Sequence, residues 1–478
     1  MSRVTIVGAG LAGSLLAIYL ARRDIVVNVY EARPDMRLTD VPAGRSINLA
    51  LSDRGIAALR QVGMDEYMLA EAVPMYGRMV HSEIGKTSLL PYSGRTGEYI
   101  NSVSRAGLNI ALMNEAEKYE SVRFHFNARC VDVDCGTGGA LFSTGSRVKA
   151  DTLIATDGAG SSVRTAMAAT TADYELSQVF LEHGYKELHI PSTSVWTGKV
   201  KPPTAARFDT AFLMEPNALH IWPRHRFMMI ALPNFDGSFT CTVFLAHTGG
   251  NATGKERAST AHEEGSLPAL DANASFDQLT TESGVRTFWE REFPDAIPLM
   301  PTLAEDFFHN PTGNLGTVKC WPWNVDGNIL LLGDSAHAMV PFYGQGMNCA
   351  FEDVRVLDGL IERHGTDWGT VYDGYCQLRK VNTDAIQDMA EENFYEMRDA
   401  VADPVFVRKR HLETRLEQTY PDYFSKYSMV TFREDLPYSI AKERGNAQDR
   451  LLMQICASGD DIDEMDLDKV MASVRALA

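Results

Sequence analysis

Residues 3–31, RVTIVGAGLAGSLLAIYLARRDIVVNVYE, begin with an apolar strand-like run and turn through Gly8-Ala9-Gly10-Leu11-Ala12-Gly13. They continue into a helix-forming run and a second strand that ends at Glu31. A GxGxxG flanked in this way is a dinucleotide cradle, and each position has a job. Gly8 makes the tight turn, Gly10 lets a diphosphate reach the backbone, and Gly13 lets helix and strand pack closely. Leu11 and Ala12 supply N–H groups at the helix start, where the dipole favours an anion. Glu31, 21 residues beyond Gly10, suits ribose hydroxyls and disfavours a 2′-phosphate. Arg33 sits beside it.

Two more glycine turns follow apolar strands. One is Asp157 in "IATDGAGSSVR", the other Gly333-Asp334 in "ILLLGDSAHAMVPFYGQGMN". A ligand with three attachment points is larger than NAD. Asp334 suits a polyol such as ribityl. The helix mouth at Gly344, Gly346, Met347 and Asn348 aims positive N–H groups at a ring that becomes anionic on reduction. Together these turns read as a flavin site.

The rest of the chain bounds the setting. It has 478 residues and a net charge of −18, which opposes nucleic-acid binding. Seven cysteines without metal-ligand spacing suit a reducing cytoplasm, and no metal set is expected. No apolar run nears the ~20 residues that span a bilayer. "ALHIWP", "FMMIALP" and "SFTCTVFLAH" read as an antiparallel sheet. Residues 247–275 read as an insertion loop, and the pattern from about Gln377 onward is helical. The C-terminal "MDLDKVMASVRALA" reads as an amphipathic helix packed on the body.

The three glycine turns, in this order, resemble the single-component FAD-dependent aromatic hydroxylases. "GRSINLALSDRG", "YGRMVH", "EPNALHIWP", "HNPTG", "VPFYGQGMNCAFED", "EENFYEM" and "YSMVTF" are similar to the branch that hydroxylates L-kynurenine at ring position 3. The resemblance implies an α/β fold. A discontinuous Rossmann-type FAD domain takes 1–70, 105–180 and 276–376. An antiparallel β-sheet substrate domain takes 71–104 and 181–275, and a helical cap takes 377–478. It further implies tightly bound, non-covalent FAD, NADPH and O2 as co-substrates, and a flavin C4a-hydroperoxide as oxidant. Arg45 and Arg105 match positions near the flavin and its phosphates. Eukaryotic members carry a hydrophobic C-terminal anchor that this chain lacks, so a soluble, bacterial-type, cytoplasmic enzyme is expected, as monomer or homodimer.

The same resemblance assigns the substrate end. Arg78 and Tyr92 take the substrate carboxylate. Asn393 and Tyr427 close the polar end. Leu219, Met228, Ile230, Leu232 and Phe244 form a slot for the ring, and Pro341, Phe342 and Tyr343 lie between ring and flavin. Tyr343 departs from the histidine frequent there. The residues alone leave alternatives. Asn393 falls on the apolar stripe of Ile386, Met389 and Met397 and suits a backbone partner as well as a ligand. Met228, Ile230 and Leu232 share one strand face, which is more often plain core. Arg78 alone suits a surface ion pair.

No residue is expected to act as acid or base, because the flavin does the chemistry. His337 is read as packing near the cofactor. The alternative function is hydroxylation of another aromatic acid. A flavin halogenase is disfavoured because "WPWNV" lacks the Ile-Pro ending of that signature, and the intact GQG turn and carboxylate clamp disfavour a non-enzymatic flavin binder.

Overall fold

The structure, a computed structural model, describes residues 2–38, 48–196, 211–249, 274–398 and 403–477. Arg45 and most of the expected insertion loop lie outside them. Arg3–Val7 centres a six-stranded sheet. Its neighbours are Val26–Tyr30 and Thr152–Ala155, with Val122–His125 and Ile329–Leu331 outside these, all parallel. Asn324–Val325 adds an antiparallel edge, so "WPWNV" is a turn between strands. Helix Leu11–Ala21 packs into this core, and so does a three-stranded antiparallel sheet of Cys130–Asp134, Gly139–Phe142 and Arg147–Val148, whose Phe142 stacks on Tyr30 at 4.0 Å. With both faces covered, the strands are continuous apolar runs rather than alternating ones. Leu11–Ala21 is buried along nearly its whole length.

A second sheet of seven strands runs in the order Gly313–Trp321, Glu175–Ile190, Phe239–Ala246, Phe227–Pro233, Leu219–Arg224, Gly77–His81 and Thr87–Pro91. It is antiparallel except where Leu219 pairs with Arg78, the start of a parallel match between strands far apart in sequence. One face carries helices Glu282–Glu292 and Leu303–His309, packed on Trp222, Met229 and Val243. This differs from the expected boundary, which puts residues 276–309 with the dinucleotide unit. Their apolar stripes cover the large sheet, and Gly313–Trp321 pairs within it. Periodicity shows that a helix is amphipathic, not which sheet it covers.

The other face meets the long helix Trp368–Arg398 and the Pro341–Tyr343 turn in one apolar cluster that includes Met228, Phe244, Phe342, Met389 and Phe394. Helices Pro404–Thr419, Tyr438–Ala457 and Leu467–Arg475 form a further cluster in which Val470, Met471 and Val474 pack against Leu412 and Leu452. Among the described residues no helix is long and apolar enough to cross a membrane.

Candidate active site

A cavity of about 790 Å³ runs from Gly8 and Gly10 to Arg78 and Tyr92. It lies where the parallel strands end and the large sheet begins, the usual crevice of open α/β sheets. Its first half is built from backbone. Gly8 has φ +105°, and a Cβ there would sit 2.5 Å from the Thr156 carbonyl oxygen. A Cβ on Gly13 would sit 2.1 Å from the Gly8 oxygen, whereas one on Gly10 would meet nothing among the described residues within 4 Å. Gly8 and Gly13 are therefore glycine for the fold, and Gly10 for the open space in front of it. Leu11, Ala12, Arg33, Arg105, Asp334, Gly344, Gly346 and Met347 also line the cavity.

Glu31 lines it as well, with both oxygens occupied. Oε2 accepts from the Ala9 N–H at 2.9 Å, and Oε1 from the Arg33 N–H at 2.9 Å and its Nε at 2.8 Å. Burial works to raise this carboxyl, but the Arg33 and backbone donors hold it below the usual range. Asp157 Oδ2 accepts from the Ser162 N–H at 2.8 Å and its hydroxyl at 3.1 Å. Oδ1 of Asp157 is buried without a hydrogen-bond partner among the described residues. Asn348 is a correction. The sequence reading sets it against the cofactor, but it is fully buried and closed on the chain. Its Oδ1 accepts from the Ser52 N–H, and its Nδ2 donates to the Ala50 and Gly344 oxygens at 2.8 and 2.9 Å. It shapes the helix mouth from behind.

Behind the Gly333–Asp334 turn lies a buried ionic network that sequence reasoning missed. His337 Nε2 meets Asp353 Oδ2 at 2.7 Å, and Arg379 bridges Asp353 and Glu352 at 2.6 Å each. Arg54, wholly buried, bonds Glu352 and the carbonyls of Val430, Arg433 and Leu436. Burial would raise both carboxyls, but Arg379, with Arg54 for Glu352 and His337 for Asp353, holds them low. His337, Asp353 and Cys349 lie close enough to suggest a metal. The carboxylate is already saturated by the imidazole and Arg379, which makes the cluster a strut. The partners lie tens to hundreds of residues apart, so spacing gave no signal.

The second half of the cavity is built from side chains. Leu219, Ile230, Leu232 and Phe244 line it from neighbouring strands, with Pro341, Phe342, Tyr343 and Met397 opposite. Met228 is a second correction. It shares the strand face but is fully buried in the cluster under the long helix and does not reach the cavity. The sheet face is longer than the slot, and alternation alone does not show where the helix roof begins.

At the closed end Arg78 is 8% exposed and pairs with Glu396 at 3.1 Å, so it is no surface ion pair. Its guanidinium lies 5.3 Å from the Tyr427 ring centre, and Tyr92 and Tyr343 flank that ring at 4.9 and 5.7 Å in a stack. Burial opposes the Arg78 charge, but Glu396, joined by Tyr427 and Tyr92, more than restores it. Burial likewise keeps the three phenols protonated far above neutrality. Among the described residues neither Arg78 Nε nor the Tyr92 hydroxyl, both buried, reaches a partner at hydrogen-bond geometry, although Tyr92 faces Arg78 and Tyr427. Asn393 Nδ2 donates to the Phe342 carbonyl at 2.6 Å. The backbone alternative thus describes this donor, which pins the turn that covers the slot. Glu396, one helical turn on, was missed because one more Glu in "AEENFYEM" carries no signal of its own.

Residues 1–195 and 318–369 match a family model described as an FAD binding domain. A curated kynurenine 3-monooxygenase of Myxococcus xanthus (strain DK1622) is 42% identical, over 99% of this chain and 95% of that one. The chain belongs to the kynurenine 3-monooxygenase family. The kynurenine 3-monooxygenase of Dictyostelium discoideum is 40% identical, over 98% of this chain and 96% of its own. That of Legionella pneumophila (strain Corby) is 38% identical, over 98% and 97%. Solved structures share the fold at lower identity. CtdE in complex with FAD and substrate 4 has a TM-score of 0.65 at 15% identity, covering 96% of this chain and 100% of that one. The tetrameric form of 2-methyl-3-hydroxypyridine-5-carboxylic acid oxygenase has a TM-score of 0.61 at 18% identity, covering 88% and 98%.

As a member of the kynurenine 3-monooxygenase family the chain is an FAD-dependent monooxygenase. Its residues fit that cofactor. Gly10 faces open space, the Asp157 Oδ1 lone pairs await a donor, and one cavity connects all three glycine turns.

Proposed function

We propose that this enzyme hydroxylates L-kynurenine at ring position 3, with NADPH as electron donor and O2 as co-substrate. The observation that carries the reading is the pair of buried, unpartnered donors, Arg78 Nε and the Tyr92 hydroxyl, at the end of an apolar slot. A buried donor without a partner costs roughly 1–3 kcal/mol, and a carboxylate at this end relieves both. Arg78 and Tyr92 therefore take the α-carboxylate, and Glu396 offers a counter-charge to the α-ammonium. Leu219, Ile230, Leu232 and Phe244 grip the aryl ring. FAD, when bound, supplies the electron transfer and the oxygen activation.

The protein's own contribution is placement and dryness. The Pro341–Tyr343 turn, pinned by Asn393, forms the wall between slot and cofactor cradle. Phe342 is held between Phe244 and Phe394 at 5.0 and 4.6 Å, so the wall is packed from both sides and keeps water out. The substrate's ring amine already directs electron density to the carbon beside it, so no side chain has to act as a base. The test is anaerobic flavin reduction by NADPH with and without L-kynurenine, followed by identification of the aerobic product. Faster reduction with kynurenine and a 3-hydroxylated product are expected. An indifferent rate with unmodified kynurenine would remove the substrate assignment.

A further inference from the structure

The Arg78 end of the cavity is closed; the other end runs out along the ribbon of Glu175–Ile190 and Gly313–Trp321. Across that ladder Phe180 faces Gly316 and Tyr185 faces Gly313. A Cβ on Gly316 would lie 2.8 Å from two carbons of the Phe180 ring, and one on Gly313 only 2.3 Å from the Tyr185 ring. Both glycines let an aromatic ring lie against bare backbone. Both rings line the cavity, but their surroundings differ. Tyr185 is partly covered and neighbours Phe244, whereas Phe180 is 63% exposed. Residues 175–180 are all exposed, on both faces of the ribbon. Gln178, on the same face as Phe180 and opposite Val318, also lines the mouth. A phenyl ring seated on glycine and left open at the mouth of a cofactor cavity is a built stacking surface.

We infer that Phe180 docks the dihydropyridine ring of the reduced dinucleotide, with the Gln178 amide placed to meet its carboxamide. This rests on the proposed use of NADPH. The donor must bring its ring against the flavin without displacing kynurenine, so it needs the open end. The Gly8–Gly13 cradle is the one strand–GxGxxG–helix unit in the sequence, so a second Rossmann domain does not provide the site. In the step served, a hydride with its two electrons leaves C4 of the dihydropyridine as that C–H bond breaks. The dinucleotide becomes a pyridinium, and the flavin, gaining an N5–H bond, is reduced by two electrons.

The test compares the wild-type holoenzyme with Phe180→Ala and Phe180→Tyr by calorimetric titration with a non-reducing tetrahydro analogue of NADPH. Phe180→Ala is expected to raise its Kd by about tenfold, the size of one aromatic stacking contact, with FAD content unchanged. Phe180→Tyr is expected to restore the wild-type Kd. An unchanged Kd in Phe180→Ala, a Tyr variant as weak as the Ala variant, or loss of FAD from Phe180→Ala would each overturn the inference, the last by giving the platform to the cofactor. A separate arm photoreduces the wild-type enzyme and mixes it with O2 and L-kynurenine. Absence of hydroxylated product there would sink the substrate reading while leaving the docking measurement intact.

Discussion

The two ends of the cavity are built on opposite principles. The cofactor end is shaped by backbone, glycine turns within short segments, with a few side chains such as Glu31, Arg33 and Asp157 set beside them. The end proposed to hold the amino acid is side chain: Arg78, Tyr92, Tyr343, Asn393, Glu396 and Tyr427 come from elements spread over most of the chain. A site made of amides tolerates substitution except at glycine. A site made of converging side chains loses its chemistry with one residue while the fold survives.

The harshest test of this contrast is a pair of substitutions in one turn. Gly13→Val drives a side chain into the Gly8 carbonyl, 2.1 Å from where its Cβ would stand. It is expected to yield little folded protein by circular dichroism. A Cβ on Gly10 meets nothing among the described residues within 4 Å, so Gly10→Val is expected to fold with a near-normal Tm but without the absorbance of bound FAD. Equal damage from both would break the claim that the two glycines do different work.

Acid should weaken the amino-acid end through its outer face. His81 joins Asp295 at 2.6 Å and His220 at 2.8 Å on the strands that carry Arg78 and Leu219. Trp222 also donates to Asp295, and the Glu215 carbonyl meets His220 Nε2. Burial, then the neighbouring His81 charge, pushes His220 down from 6.5 to about 3. The unfolded chain therefore takes up a proton that the folded one refuses. Stability is full above pH 6.5 and is lost as pH falls toward 3. Denaturant titrations at several pH values should show this slope, reduced in His220→Gln.

Arg78→Met should raise the Kd of L-kynurenine by about a hundredfold, the equivalent of roughly 3 kcal/mol for a charge-assisted pair. FAD content, read by absorbance, should stay normal. Asn393→Ala orphans the buried Phe342 carbonyl and should lower stability by about 1–3 kcal/mol in urea titrations. Its effect on kynurenine affinity should be smaller than that of Arg78→Met. The mildest change is Met228→Leu, a volume-conserving swap in the packed cluster. It should cost less than about 1.5 kcal/mol and leave kynurenine affinity unchanged. Ile230→Ala, on the same strand face but open to the slot, should weaken it.

How legible each end was follows from how it is made. Strand, glycine turn and acidic residue stand within some thirty positions, and the physics of a diphosphate on a helix start fixes their spacing, so Gly8, Gly10, Gly13 and Glu31 could be assigned from local pattern. The same reasoning overreached at Asn348, because a residue at a helix mouth can face the ligand or brace the mouth, and only the Ala50 and Gly344 carbonyls behind it decide. Arg78 and Tyr92 gained their meaning from family resemblance, since a lone arginine in a strand has no local signature. Helices 282–309 went to the wrong sheet for a related reason: an apolar stripe records that it is covered, not by what.

By itself the amino-acid sequence determined a flavin-type cradle, an antiparallel sheet beside it and a helical C-terminal part, because glycine conformations and two- or 3.6-residue periods are set by neighbours in the chain. The one parallel pairing in that sheet came from the tertiary structure. Tertiary structure alone decided that Glu396 meets Arg78, that Arg54 ties helix 346–364 to the segment after Tyr427, and that Met228 is roofed while Ile230 is open. Those outcomes depend on which distant surfaces pack together, and burial and ion pairing are properties of the packed chain, not of any stretch within it.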